Sequence, residues 1–364
     1  MQGREILDKA KAKYFFSPEE IYYLFTGVPL SVLIFIADNI RQMWHPTGIV
    51  TWIIDRNVNI TNICVSFCRF CNFCRTPHDA EAYVTSMDEY RKKIDELYSR
   101  GGRQLLLQGG LHPTLGLDFY VQLFAALKRE YPDLRLHALG PPEIVFLAKK
   151  ENISYRDVLE TLLQAGLDSL PGAGAEILVD RVRNIISPAK CSTSEWLDVM
   201  RVAHRMNIVT SATMMFGHVE TLEDRIEHIV KIRDLQQEKP ADSPGFLSFI
   251  PWPFQDENTR LKTKDGIHST VTASDYLKMI AVSRIVLCNI PNIQASWLTV
   301  GPGLAQMCLH AGANDMGSVM MEENVVSSAG SSHRMDEFQM QETIRKAGFI
   351  PQQRNQKFDY IHHH

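Results

Sequence analysis

Val50-Thr-Trp-Ile-Ile-Asp-Arg-Asn-Val58, followed closely by Asn62-Ile-Cys-Val-Ser-Phe-Cys-Arg-Phe-Cys-Asn-Phe-Cys-Arg75, is the stretch on which the reading of this chain turns. Its first part is rich in β-branched and aromatic residues and predicts a strand. Its second part places four of the seven cysteines, Cys64, Cys68, Cys71 and Cys74, within eleven residues. Thiolates crowded this closely repel one another unless a cation or an iron–sulfur cluster neutralises them. Structural zinc takes two separated ligand pairs; Cys68-x2-Cys71 offers one, and no second knuckle follows. Cys68-x2-Cys71-x2-Cys74 copies the opening of a bacterial ferredoxin run, but Arg75-Thr76-Pro77-His78 replaces the continuation to a fourth Cys-Pro. The third spacing is Cys64-x3-Cys68-x2-Cys71, with Phe70 just before the last thiol.

Beyond the loop, short apolar runs alternate with helical patterns. Strands are predicted at 50–58, 104–108, 134–139, 168–171, 209–216, 246–252, 293–297 and 315–321. Helix starts are marked by capping boxes such as Ser86-Met-Asp-Glu89 and Ser192 with Glu195. Apolar strands alternating with helices indicate a parallel sheet covered by helices. Eight such units over roughly 270 residues match a (β/α)8 TIM-type barrel. The expected organisation is an N-terminal helical extension (1–48), the barrel (49–325), a C-terminal helical extension (326–361) and a purification-tag remnant (362–364).

Composition narrows the function classes. Of the 364 residues, 45% are hydrophobic and 22% charged, ordinary for a globular protein. A net charge of −4 gives no bias toward nucleic acid or anionic membrane. The longest apolar run, 28–37, is about half a bilayer span, which predicts a buried helix and no stable membrane insertion. With no signal peptide and ligand-spaced rather than paired cysteines, a reducing cytoplasm is expected.

The spacing Cys64-x3-Cys68-x2-Cys71 in the loop after a first barrel strand resembles the radical S-adenosylmethionine (radical SAM) superfamily. Gln108-Gly109-Gly110 resembles its Gly-rich segment, and Gly217-His-Val-Glu220 its GxIxGxxE segment, with Thr213 standing where the first glycine would be. Leu106-Leu-Gln-Gly-Gly-Leu-His-Pro113, Gly172-Ala-Gly-Ala-Glu-Ile-Leu178, Phe249-Ile-Pro-Trp-Pro-Phe-Gln255 and Met320-Met-Glu-Glu-Asn324 resemble the branch holding the futalosine-pathway enzymes of menaquinone biosynthesis and the deazaflavin (F0) synthases. The last two segments most resemble the futalosine-cyclising members. The resemblance covers about residues 50–355.

That resemblance implies a [4Fe–4S] cluster on Cys64, Cys68 and Cys71, with one iron left open for S-adenosylmethionine as cosubstrate. It implies cofactor contacts from Phe70, Gln108, Gly109, Gly110, Glu176 and Gly217. The implied substrate is dehypoxanthine futalosine, cyclised by 5′-deoxyadenosyl radical abstraction of the ribose C4′ hydrogen and radical addition to the benzoate ring. A flavodoxin or ferredoxin is the implied electron donor. Glu176, His218 and Glu220 are candidate catalytic groups. Arg56 and Arg181 suit the benzoate carboxylate; His112 is a further substrate contact, and Trp252 and Trp297 suit apolar walls. Rival readings are an aminofutalosine synthase, a deazaflavin synthase component or a non-catalytic iron–sulfur electron carrier. Cys74 departs from the branch, which more often has an aromatic there. It reads either as an alternative ligand or as a small packed thiol.

Overall fold

The computed structural model describes residues 2–324, 327–330 and 332–362. The expected boundary at 325/326 and the tag residues His363 and His364 lie outside them. The N-terminal extension is three helices, Gly3–Lys11, Pro18–Gly27 and Leu30–Trp44. Ser17, Pro18 and Glu20 form a capping box: Glu20 N donates to Ser17 Oγ at 3.3 Å and Ser17 N to the Glu20 carboxylate at 2.9 Å. Leu33, Ile36, Ala37 and Ile40 of the third helix are buried, at helical spacing. Among the described residues no helix is long and apolar enough to cross a membrane.

The strands are β1 (Ile49–Ile53), β2 (Asp55–Asn59), β3 (Gln104–Gln108), β4 (Arg135–Ala138), β5 (Ser169–Leu170), β6 (Val209–Phe216), β7 (Phe246–Pro253), β8 (Asn292–Ile293), β9 (Asp315–Ser318) and β10 (Ile350–Gln353). A seven-stranded parallel sheet runs β2-β3-β4-β5-β6-β7-β8, and a three-stranded one runs β10-β1-β9. The first predicted strand is therefore two, divided at Ile54, with its halves serving different sheets. Gly102 makes room for this step, since a Cβ there would stand 2.8 Å from Ile54 Cγ2 and 3.0 Å from its carbonyl oxygen. Backbone hydrogen bonds link the sheets into a ring. Asn314 N donates to Ile293 O at 3.0 Å and Ala295 N to Asp315 O at 2.9 Å, joining the β8 end to β9, and Val319 N to Ile53 O at 3.1 Å extends the β9–β1 pairing. Counting β1 and β2 as one staggered strand, the ring is the expected (β/α)8 barrel.

Three expectations need correction. The last barrel strand stops at Ser318 rather than 321, where Met320 turns into left-handed backbone (φ +48). A helix not foreseen, Pro141–Glu151, starts on two prolines directly after β4. The C-terminal extension contains its predicted helix, Glu337–Lys346, but then adds β10 alongside β1.

Candidate active site

Side chains alternate along a strand, so every second residue of the barrel faces its interior. Asp55, Asn57 and Asn59 of β2, Leu106 and Gln108 of β3, Ser211 and Thr213 of β6, and Ser248, Ile250 and Trp252 of β7 line one cavity of about 390 Å³. At the C-terminal ends of the strands its wall is the cysteine loop, with Cys64, Cys68, Cys71 and Cys74 all lining it. At the opposite end Arg354 and Gln356 close it from the segment after β10. Arg354 forks onto Asp315 at 2.6 and 2.9 Å, and Gln356 accepts from Gln104 at 3.1 Å. Asp315 and Gln104 open their strands, so this tail is the barrel's floor.

The cysteine loop is fastened at its root. Asn62 donates to Glu81 O at 2.8 Å and accepts from Tyr83 N at 2.9 Å; Thr61 Oγ1 donates to Tyr83 O at 2.6 Å. Cys64 N donates to Arg75 O, and Val65 N to Leu111 O. Gly110 permits the closest approach: a Cβ there would lie 2.1 Å from Ile63 O and 2.7 Å from Cys64 Cβ. Non-glycine residues of the site in the left-handed region are Phe67 (φ +46) and Glu176 (φ +44), besides Met320, a conformation that costs energy which the surrounding contacts must offset.

The thiols differ in electrostatics. The neighbouring Cys74 thiol outweighs burial; with the amides of Ser66 (3.4 Å) and Leu111 (3.3 Å) donating to its sulfur, Cys64 is lowered to about 6. Cys74 is correspondingly raised and lies 3.2 Å from Cys64 O. Burial lifts Cys68 to about 11 and also raises Cys71. Lys190 sits among them, paired with Glu176 at 2.9 Å and 5.2 Å from the Phe70 ring centroid. Burial works against its charge, but Cys68 and Glu176 outweigh it and hold its pKa above the ordinary lysine value. Glu143, fully buried on the same cavity, is pushed up to about 7 by desolvation.

These residues fit an iron–sulfur cluster by the chemistry of their donor set. Three ligand-spaced thiols share a cavity wall, backbone N–H groups aim at one sulfur, and a buried ammonium offsets thiolate charge. Among the described residues, however, no three His, Cys, Asp or Glu side chains are already gathered as a metal-ligand set.

Of the residues singled out in the sequence, the cavity brings together Cys64, Cys68, Cys71, Phe70, Gln108, Gly109, Gly110, Glu176, Trp252 and Trp297. Six others lie outside its lining. Arg56 has the opposite parity to Asn57 on β2 and pairs with Glu96 (2.5 Å) and Glu322 (2.9 Å). Arg181 is half-exposed and pairs with Asp224. His112 accepts from Thr114 N and Leu115 N, fixing a turn. Glu220 accepts from Gly217 N (2.6 Å), His218 N (2.9 Å) and Arg225 Nε (2.8 Å), so Gly217, His218 and Glu220 form one brace after β6. Burial lowers the His218 pKa and disfavours its charged form.

Polar cavity residues that escaped the sequence reading include Asn57, Glu143, Lys190, Arg354 and Gln356. Asp55-x-Asn57-x-Asn59 was a usable signal, because polar residues at period two in a barrel strand face the interior. Glu143 follows a strand end in Gly140-Pro-Pro-Glu143, another usable position. Lys190, Arg354 and Gln356 arrive from distant segments and carry no local signal.

Residues 58–232 match the family model of the Radical SAM superfamily, and residues 243–364 match the CofH/MqnC C-terminal region. The chain is 41% identical over 98% of its length to cyclic dehypoxanthine futalosine synthase of Streptomyces coelicolor, covering 88% of that protein. It is 40% identical over 98% of its length to the synthase of the same name from Halalkalibacterium halodurans, covering 94% of it. A 5-amino-6-(D-ribitylamino)uracil–L-tyrosine 4-hydroxyphenyl transferase of Methanococcoides burtonii is 43% identical, over 82% of each chain. Among solved structures, methylornithine synthase superposes with a TM-score of 0.72 at 17% identity, covering 96% of this chain and 98% of that one, a likeness of fold.

Proposed function

This chain belongs to the radical SAM superfamily of enzymes, and from that premise we propose that it cyclises dehypoxanthine futalosine in the futalosine route to menaquinone. When bound, a [4Fe–4S] cluster with S-adenosylmethionine supplies a 5′-deoxyadenosyl radical, which takes the ribose C4′ hydrogen before the sugar carbon adds to the benzoate ring. The observation that carries the reading is a single cavity holding three ligand-spaced thiols at one end and a lumen of polar and aromatic side chains below them.

Cys64, Cys68 and Cys71 hold the cluster in this proposal, with Cys74 packed beside Cys64 and its thiol donating to Cys64 O at 3.2 Å. Gln108, Gly109 and Gly110 provide the close backbone approach. Glu176 is fixed toward the cavity by Lys190. Trp297, tied by its indole N–H to Ser318 O at 2.9 Å, and Trp252 form rigid apolar walls. A rigid wall matters, because sugar and ring must be held in near-attack contact for the radical to add rather than quench elsewhere.

Restoring aromaticity requires loss of one proton and one electron, the electron passing to an oxidised one-electron carrier of the flavodoxin or ferredoxin class. Glu143 joins Glu176 as a candidate base, for both line the cavity, and the Glu143 carboxyl, which accepts from Gly140 N at 2.9 Å, is pushed up to about 7 by burial. His218 and Glu220 serve instead as the brace after β6. Cluster reduction is assigned to a flavodoxin or ferredoxin.

The test is anaerobic incubation of reconstituted protein with dithionite, S-adenosylmethionine and dehypoxanthine futalosine. A product two mass units lighter than the substrate supports the proposal. Turnover of 5-amino-6-(D-ribitylamino)uracil with tyrosine, and none of dehypoxanthine futalosine, would place it with the other group of relatives.

A further inference from the structure

Strand β2 presents three polar side chains to the lumen, Asp55, Asn57 and Asn59. Two are satisfied. Asp55 accepts from Ser318 Oγ and from Gln104 Nε2 at 3.3 Å, and Asn59 Oδ1 accepts from Asn324 Nδ2 at 3.1 Å. Asn57 lies between them, 4% exposed, and its Oδ1 has no hydrogen-bond partner. Among the described residues, it is the one buried, unpartnered side-chain atom whose residue also lines the cavity. A buried amide oxygen without a donor is costly. A leucine of similar size would avoid that cost at a site walled by Leu106 and Ile250.

We propose that Asn57 is a substrate-positioning residue whose carboxamide binds the vicinal hydroxyls of the substrate's sugar. The inference rests on the function proposed above and extends it to the orientation of the substrate. The unpartnered atom is an acceptor, so its ligand must bring an O–H or N–H donor. The benzoate end of dehypoxanthine futalosine carries an ionised carboxylate, which only accepts, whereas its ribose carries hydroxyl donors. One hydroxyl donates to Oδ1, and its neighbour accepts from the NH2 of the same carboxamide. Asn57 pairs in register with Leu106, one inward-facing step before Asn59 and Gln108. That step is about 7 Å along a strand, so the sugar sits directly beneath the cysteine-loop end of the lumen. Two other luminal hydroxyls already have partners: Ser211 Oγ accepts from Gly172 N at 3.1 Å, and Thr213 Oγ1 donates to Gly172 O at 2.7 Å.

The experiment uses the full chain with reconstituted cluster, in wild type, Asn57→Leu and Asn57→Asp forms, with dehypoxanthine futalosine and its 2′- and 3′-deoxy analogues. Asn57→Leu should raise KM at least about tenfold, the size of one lost buried hydrogen bond, with iron per chain unchanged. Asn57→Asp, which keeps an acceptor oxygen in place, should recover most of that loss. On wild type one deoxy analogue should lose a similar factor, and on Asn57→Leu it should lose nothing further. An unchanged KM in Asn57→Leu overturns the proposal, as does an analogue that loses as much in the variant as in wild type. Should Asn57→Leu not fold, the analogue arm on wild type and Asn57→Ala decides by the same criteria. If wild type ignores dehypoxanthine futalosine, the functional proposal fails on its own. The variants are then measured with 5-amino-6-(D-ribitylamino)uracil and tyrosine, whose ribityl chain also carries vicinal hydroxyls, and the KM comparison keeps its meaning.

Discussion

Replacing Gly110 by alanine tests how tightly the cysteine loop is seated. The new Cβ would stand 2.1 Å from Ile63 O and 2.7 Å from Cys64 Cβ. A carbon and a carbonyl oxygen need about 3.3 Å, so relief requires a shift of roughly 1 Å in a backbone pinned on both sides. Overpacking of this kind costs about 1–3 kcal/mol. The larger consequence is positional, because a displacement near 1 Å beside reacting groups can cost about a hundredfold in rate. Gly109→Ala is the internal control: its Cβ would meet Thr61 N and O at 3.1 Å, a contact that a few tenths of an ångström relieves. The assay is iron per chain after anaerobic reconstitution, with 5′-deoxyadenosine formation measured on the same samples. Gly110→Ala should lose most of its activity, and iron with it where Cys64 is pushed out of place, while Gly109→Ala keeps the greater part of both. Full iron loading and unimpaired turnover in Gly110→Ala would refute the close-approach argument.

Other perturbations probe separate parts of the site. The folded Glu143 carboxyl is raised from 4.5 to about 7, so between those values the native state binds more protons than the unfolded one and stability falls as pH rises. Glu143→Gln should remove that slope, worth on the order of 3 kcal/mol over the window, in denaturation curves at pH 5 and 7.5; an unaltered slope would remove Glu143 as its source. Lys190→Met strands the buried Glu176 carboxylate. It should lower stability by about 3–5 kcal/mol and weaken cluster retention, measured by urea denaturation and iron content. Arg56→Gln should leave the KM for substrate unchanged, because the guanidinium is spent on Glu96 and Glu322 outside the lumen. A tenfold rise in KM there would restore Arg56 as a substrate contact.

The barrel was legible because its signals are local. Apolar runs of strand length and Ser-x-x-Glu caps need only neighbouring residues, and Ser86 and Ser192 cap their helices in that way. The stagger at Ile54 was hidden, since Gly102, which leaves room for it, lies after the next helix. The thiol constellation was legible for the same local reason, being confined to one loop. Arg56 and Arg181 were attractive as cations suited to a carboxylate, but strand parity and exposure decide where a cation points. On β2 that parity sends Arg56 outward and Asn57 inward. His218 and Glu220 stand at a strand end, where barrel enzymes place chemistry, yet they are consumed by contacts with Gly217 and Arg225. The floor made by Arg354 and Gln356 depends on a tail that returns to β1 after 300 residues of chain. No periodicity announces such a return.

The central claim is hydrogen abstraction from the sugar inside this lumen, and isotope transfer tests it most directly. Dehypoxanthine futalosine carrying deuterium at ribose C4′ is incubated anaerobically with reduced protein and S-adenosylmethionine, and the 5′-deoxyadenosine is weighed by mass spectrometry. The account predicts 5′-deoxyadenosine one mass unit heavier, alongside a cyclised product that has lost the label. Unlabelled 5′-deoxyadenosine, with deuterium retained in the substrate or product, would contradict it.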